Sequence, residues 1–304
     1  MVVQNSWDSI GQKVSDVETM EEAIVKNGMD YSIRKIPLYK DDGSIIPNRF
    51  GVENEQTGQV YDVVKDVWKP LQNRKCFEFV DKFIQDETIK IDRIGKLRGG
   101  EKMFVVAKIN SPPMEIVKDD FVEKFIILIN NHSSKFSIRV GFTPIRMWCL
   151  NQLSSIAKNE ASQMVRIRHS GNVDEKLDNL REIMDTSIAA FSATEEQLKF
   201  LASKPIISKD VEKYIKNVFR IKDDEKISTR KQNILDKVIG LAETGMGNHL
   251  DNVRGTFYAS YNAITQYINH DMGRSADLRM ESLWLGEGSN MNDRALQTAL
   301  QMAS

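Results

Sequence analysis

The spacing of apolar residues changes period part-way along the chain, and this change limits the possible folds more than any other feature. In KFSIRVGF, Phe136, Ile138, Val140 and Phe142 alternate with Lys135, Ser137, Arg139 and Gly141, the two-residue repeat of a strand with one apolar and one polar face. Further on, Leu177, Leu180, Ile183, Met184, Ile188 and Phe191 recur every three or four residues or close to it, as on an amphipathic helix. Two hairpins carry the strand pattern: TIKIDRIG and MFVVAKI joined by KLRGGEK, then FVEKFIILINN and FSIRVGF joined by HSSK. Upstream, YSIRKIPLY reads as a strand, and RFGVENEQTGQVYDVV as a hairpin with Thr57 and Gly58 at its tip.

Helices interrupt this strand-rich half. VETMEEAIVKNG is expected to be capped at Ser15 or Asp16 and closed by Gly28. NRKCFEFVDKFIQ places Cys76, Phe79, Val80 and Phe83 on one face, which makes Cys76 a core thiol. After Pro144 the spacing turns helical through CLNQLSSIAKN, with Cys149 and Leu153 at its start, and QMVRIRH returns to strand. From Asn172, an expected helix cap, the chain reads as helical to its end. The further helices are DVEKYIKNVFR, STRKQNILDKVIGLAET, GTFYASYNAITQYINH and NDRALQTALQMA. The fold class is therefore α+β: a mixed, mainly antiparallel meander sheet with helices over residues 1–170, and a helical region over 171–304 packed on it, as two domains or one integrated unit.

Charge narrows the functional classes. With 42 Lys plus Arg against 43 Asp plus Glu, the net charge of -1 sets up no global field, so any polyanion site must come from local clustering. Residues 135–170 supply such a cluster: Lys135, Arg139, Arg146, Lys158, Arg166 and Arg168 face only Glu160, six cations against one acid. Trp148 lies in the same stretch and offers a ring on which a base could stack. KLRGGEK adds Lys96, Arg98 and Lys102, although it lacks the G-x-x-x-x-G-K-[ST] pattern and leads into a strand, as a hairpin turn does. The simpler alternative is a solvated strand face with Trp148 in the core.

Catalysis has one candidate constellation, His132, Cys149 and His169 brought into one cleft; the simpler alternative is local hydrogen bonding of each. The four histidines form no H-x-x-x-H or H-E-x-x-H pair, and Cys76 and Cys149 lack zinc spacing, so neither a metal nor a cofactor is expected. The aromatic helix puts Phe257, Tyr261, Ile264 and Ile268 on one packing face, with Asn262 and His270 flanking it. No basic segment followed by an apolar run opens the chain, and its longest apolar stretch, FIILI at 125–129, is far short of a bilayer span. A cytoplasmic protein without a membrane partner is expected, with its two thiols reduced.

The pieces TGQVYDVVKDVWKPLQN, IGKLRGGEKMFVVAKI, ILINNHSSKFSIRVGFTPIRMWCLNQL, VRIRHSGNV and GTFYASYNAITQYINH, with SLWLGEGSN, resemble the phage/plasmid-like protein family built on domain of unknown function 932. The resemblance runs from about residue 5 to about residue 300. Its most specific elements are the His132 turn, the segment spelled by Arg146, Cys149 and Asn151, and the pair Arg168 and His169. The family usually has Asp and Gly after the first histidine, where this chain has Ser133 and Ser134. The resemblance implies a mobile element acting in a host cytoplasm and a place among replication and recombination functions. The expectation is an oligomeric, non-catalytic DNA-binding protein that favours single-stranded DNA and could anneal strands. The alternatives are an enzyme acting on nucleic acid or nucleotides through His132, Cys149 and His169, and a protein that inhibits or scaffolds a host factor.

Overall fold

The computed structural model describes residues 11–14, 17–134, 138–147, 149, 151–153, 165–167, 180–222, 227–273 and 275–304. After the short strand β1 (Gln12–Lys13), helix α1 (Met20–Lys26) is capped by Thr19, whose hydroxyl accepts from the Glu22 amide. The expected caps Ser15 and Asp16 lie outside the described residues. Gly28 closes the helix at φ +65°, where a side chain would be strained. Strands β2 (Ile33–Tyr39), β3 (Ile45–Asn54) and β4 (Val60–Val64) then form a three-stranded antiparallel sheet. The helix expected over residues 73–85 is two short ones, α2 (Asn73–Phe77) and α3 (Val80–Gln85). Cys76 is fully buried between them and the large sheet, a free thiol as expected of a core cysteine.

The large sheet is built from β1, β5 (Ile89–Leu97), β6 (Lys102–Ile109), β8 (Asp120–Asn131), β9 (Ile138–Arg146) and β10 (Asn151–Gln152), in that order. Strand β7 (Met114–Val117) pairs with β8, and β11 (Val165–Ile167) pairs with β9. Among the described residues every strand pair is antiparallel. Both expected hairpins are present, β5–β6 around KLRGGEK and β8–β9 around HSSK.

The FIILI run is apolar at successive positions because β8 is covered on both faces. Ile126 and Leu128, with Met103, Val105 and Ala107 of β6, pack against α1 to α3 and the small sheet. Phe125, Ile127 and Ile129, with Phe104 and Val106, pack against the helices that follow. Each such side chain contributes about 1.5–3 kcal/mol of burial, so the two layers are held by the centre of one sheet.

Those helices are α4 (Leu180–Ser203), α5 (Ser208–Phe219), α6 (Thr229–Thr244), α7 (Phe257–Gln266), α8 (Ala276–Leu285) and α9 (Glu287–Ala303). Helix α7 is buried from Phe257 to Thr265 and continues into one π-helical turn, Tyr267–Asp271. The aromatic stretch is thus a central helix, enclosed on all sides, and no single face of it is singled out. No helix among the described residues is long and apolar enough to cross a membrane.

One expectation is corrected in the stretch after Pro144. Strand β9 runs through Pro144 to Arg146, and β10 pairs back onto it, Asn151 opposite Arg146, so Cys149 sits in a turn and starts no helix. The amide of Leu153 donates to the Pro144 carbonyl, and strand pairing of this kind outweighs helical spacing over so few residues. Residues 154–164 and Asn172 lie outside the described residues.

Candidate functional site

At one end of the large sheet the β5–β6 turn is forced into left-handed backbone, with φ of 52°, 68° and 104° at Arg98, Gly99 and Gly100. Two tyrosines hold it. The Tyr31 hydroxyl donates to the Gly100 carbonyl at 2.8 Å, and the Tyr61 hydroxyl donates to that of Gly99 at 3.0 Å. Burial pushes the Tyr31 hydroxyl well above its usual titration range, which keeps it a donor at neutral pH. The neighbouring β8–β9 turn is tied to the same place. His132 is fully buried; its amide donates to the Glu101 carbonyl at 2.8 Å, and its Nε2 lies 3.1 Å from Asn73 Oδ1. The imidazole stacks with Tyr61 and meets Tyr31 edge-on, while Ser134 donates its amide and hydroxyl to Asp62. His132 thus joins the large sheet to the small one.

The cations expected to face a polyanion separate into distinct groups. Lys102 is corrected: its side chain is fully buried, 2.8 Å from Glu101 and 3.4 Å from Glu281. Such a buried ammonium is held by its carboxylates and presents no charge to solvent. Arg98 is half-exposed but donates from Nε to the other Glu281 oxygen at 2.6 Å. Lys96 is exposed. Arg139 is half-buried on β9, and the strand register sets the backbone of Arg166 on β11 directly opposite it. Lys135, Trp148, Arg168 and His169 lie outside the described residues, as does the side chain of Arg166.

Arg146 is the second correction. It lies towards the other end of β9, opposite Val122, and is fully buried. Its Nε is 3.0 Å from both Asp120 oxygens, and Nη2 is 2.6 Å from Oδ2. Nη2 also donates to the Gly247 carbonyl at 3.0 Å, while Nη1 donates to the Met246 carbonyl at 3.1 Å and to Asn248 Oδ1 at 3.2 Å. The guanidinium lies over the Tyr258 ring, 5.2 Å from its centroid. Every N–H of Arg146 is therefore used inside the protein, and none is left for a phosphate.

Cys149 and Asn151 belong to the same buried region. His270 Nε2 lies 2.7 Å from Asn151 Oδ1 and 3.0 Å from the Cys149 carbonyl, not its thiol. Burial pushes the Cys149 thiol up to about 11 despite the nearby Arg146, so it is no thiolate nucleophile at neutral pH. Burial also holds the His270 imidazole below its ordinary value. The expected cleft of His132 with Cys149 does not form. His132 follows Asn131 at one end of β8, whereas Cys149 lies beyond the pairing of Val122 with Arg146. Nine strand residues at about 3.3 Å each separate the two ends by roughly 30 Å.

The structure thus joins Arg146, Cys149 and Asn151 to Tyr258 and His270 of the aromatic stretch, and it separates them from His132. Sequence reasoning missed Asp120, Asn248, Glu281, Tyr31, Tyr61 and Asn73. A signal existed for Asp120: once the HSSK turn fixes the hairpin, Val122 falls opposite Arg146, and Asp120 lies two residues on along the same face. For Glu281 and Asn248 there was none, because they come from segments far along the chain. Among the described residues no three His, Cys, Asp or Glu side chains gather as a metal set would.

Comparison with known proteins supplies a family and no activity. A family model described as "Domain of unknown function (DUF932)" matches residues 60–284, about three quarters of the chain. No curated protein and no solved structure matches. The match reaches both buried polar clusters, from Tyr61 to Glu281, and the chain belongs to the DUF932 family of domains of unknown function.

Proposed function

We propose that the protein binds a nucleic-acid backbone without covalent chemistry, through the β9–β11 edge of the large sheet, with single-stranded DNA as its favoured form. The observation that carries this reading is the register that sets Arg139 and Arg166 opposite each other. Like charges at directly opposed positions of a strand pair cost up to about 1 kcal/mol, and a phosphate shared between two guanidiniums reverses the sign of that cost. β11 is only three residues long, and at these positions the other neighbour of β9 is β8, so the arginine pair lies on a short outer strand pair. Such a site is weak alone, and copies of it in an oligomer supply avidity. A setting in phage or plasmid DNA recombination or replication in the host cytoplasm, with annealing as the outcome, fits a protein that holds backbone and leaves bases exposed.

The test is a salt titration of binding to a labelled single strand and to a duplex of the same length. On single strands, every phosphate that a variant no longer neutralises lowers the slope of log affinity against log salt by about 0.7. Arg139→Gln with Arg166→Gln gives up the one shared phosphate and is expected to reduce that slope by about 0.7 while leaving the thermal unfolding transition in place. Absence of binding at low salt, or a double variant that matches the parent in slope and affinity, overturns the reading.

A further inference from the structure

Helices α5 and α7 start side by side, held by backbone bonds from Ile206 N to Gly255 O at 2.9 Å and from Phe257 N to Lys204 O at 3.0 Å. Between their first turns and α6 is a cavity of about 310 Å³, at the lower end of the range of small-molecule sites. Three features give it a chemical character. Helix α5, 12 residues long, follows Ile207, which has no side-chain acceptor to offer; the Asp210 amide turns back to the Ile207 carbonyl at 2.9 Å, which leaves the Ser208 and Lys209 amides, the first of them on the cavity wall, uncapped among the described residues. Ser260 lines the cavity from α7, is 1% exposed, and its hydroxyl makes no hydrogen bond among the described residues. Buried hydroxyls nearly always have a partner, so one turned into an open cavity marks the position of a ligand atom. Arg254 stands at the exposed rim, and Ile206 and Ile239 line an apolar wall. Glu243, on the rim from α6, opposes a second negative charge and so disfavours nucleotides and inorganic phosphate.

We propose that this cavity binds a small monocarboxylate with a short branched apolar body. Its carboxylate would meet Arg254 and the α5 amides, one oxygen would take the Ser260 hydroxyl, and its alkyl end would lie on Ile206 and Ile239. The site shares no residue with the sheet-edge surface, so either can fail without the other.

The probe is 4-methylpentanoate, titrated to roughly 10 mM against the full chain by ligand-observed NMR and thermal shift, with 4-methylpentan-1-ol and inorganic phosphate alongside. Saturable binding of the carboxylate is expected, about tenfold tighter than the alcohol, with no binding of phosphate. Arg254→Gln, at an exposed position, should weaken the carboxylate about tenfold and bring it level with the alcohol. Ser260→Leu fills the floor and should abolish binding of both. No saturable binding, equal affinity for carboxylate and alcohol, tighter binding of phosphate, or an Arg254→Gln variant that binds like the parent each overturns the proposal. The Arg254→Gln comparison stands even if Ser260→Leu fails to fold.

Discussion

Replacing Asp120 with alanine tests whether Arg146 is a structural tie. Both side chains are fully buried, and Asp120 supplies the only counter-charge among the described partners of Arg146, the others being two carbonyls and an amide oxygen. Asp120→Ala therefore strands a guanidinium in the interior, a class of change that costs about 3–5 kcal/mol. At about 2–4 °C per kcal/mol for chains of this class, the melting temperature should fall by roughly 6–20 °C. Arg146→Met should cost a similar amount by stranding the carboxylate instead. Asp120→Ala with Arg146→Met removes both charges. What remains is three acceptors without a donor, Met246 O, Gly247 O and Asn248 Oδ1, at about 1 kcal/mol each. The double variant should thus lose about 3 kcal/mol, well short of the sum of the single losses. Urea denaturation of the four proteins, followed by circular dichroism with a shared m-value, measures the cycle. A loss below about 1 kcal/mol for Asp120→Ala, or a double variant equal to the sum of the singles, would refute the assignment of Arg146 as an internal tie.

Two further outcomes follow from the geometry of other positions. Gly100→Ala should cost about 1–3 kcal/mol and exceed Gly99→Ala. A Cβ at Gly100 would stand 2.7 Å from the Tyr61 hydroxyl on backbone at φ +104°, whereas one at Gly99 meets only the movable end of Gln59. Matched urea midpoints for the two variants would count against the clamp. His270 is held below its ordinary value near 6.5, chiefly by burial, against the opposing pull of its bond to the Cys149 carbonyl and of Asp271, and with a smaller push from Arg279. Its unfolded form therefore takes up a proton first as pH falls. The stability it contributes is complete above about pH 6.5 and is lost as pH drops through the folded-state value. Unfolding free energies measured from pH 7.5 down to pH 5 should fall less steeply for His270→Gln than for the parent, and equal slopes would refute the shift.

By itself the sequence determined the classes of local structure, because each depends on contacts a few residues apart. The two-residue alternation in β9, the apolar run of β6, the turn residues of KLRGGEK, HSSK and the Thr57–Gly58 tip, and the stripe from Leu177 to Phe191 yield an α+β chain with the right hairpins. The burial of Cys76 was legible for the same reason. The fate of each charge was legible only in part, since periodicity tells which face is polar and not what will cover it. Arg98 meets Glu281 from 183 residues away, and Arg146 meets Asn248 from 102 residues away. No local pattern carries those distances. The tertiary structure alone decided that Lys102 and Arg146 are interior ties, that β9 passes through Pro144 into a turn, and that His132 and Cys149 stand at opposite ends of β8. The physical reason is the same in each case: burying a charge, or leaving a backbone amide unpaired, costs more than local spacing can offset, so the long-range partner determines the outcome.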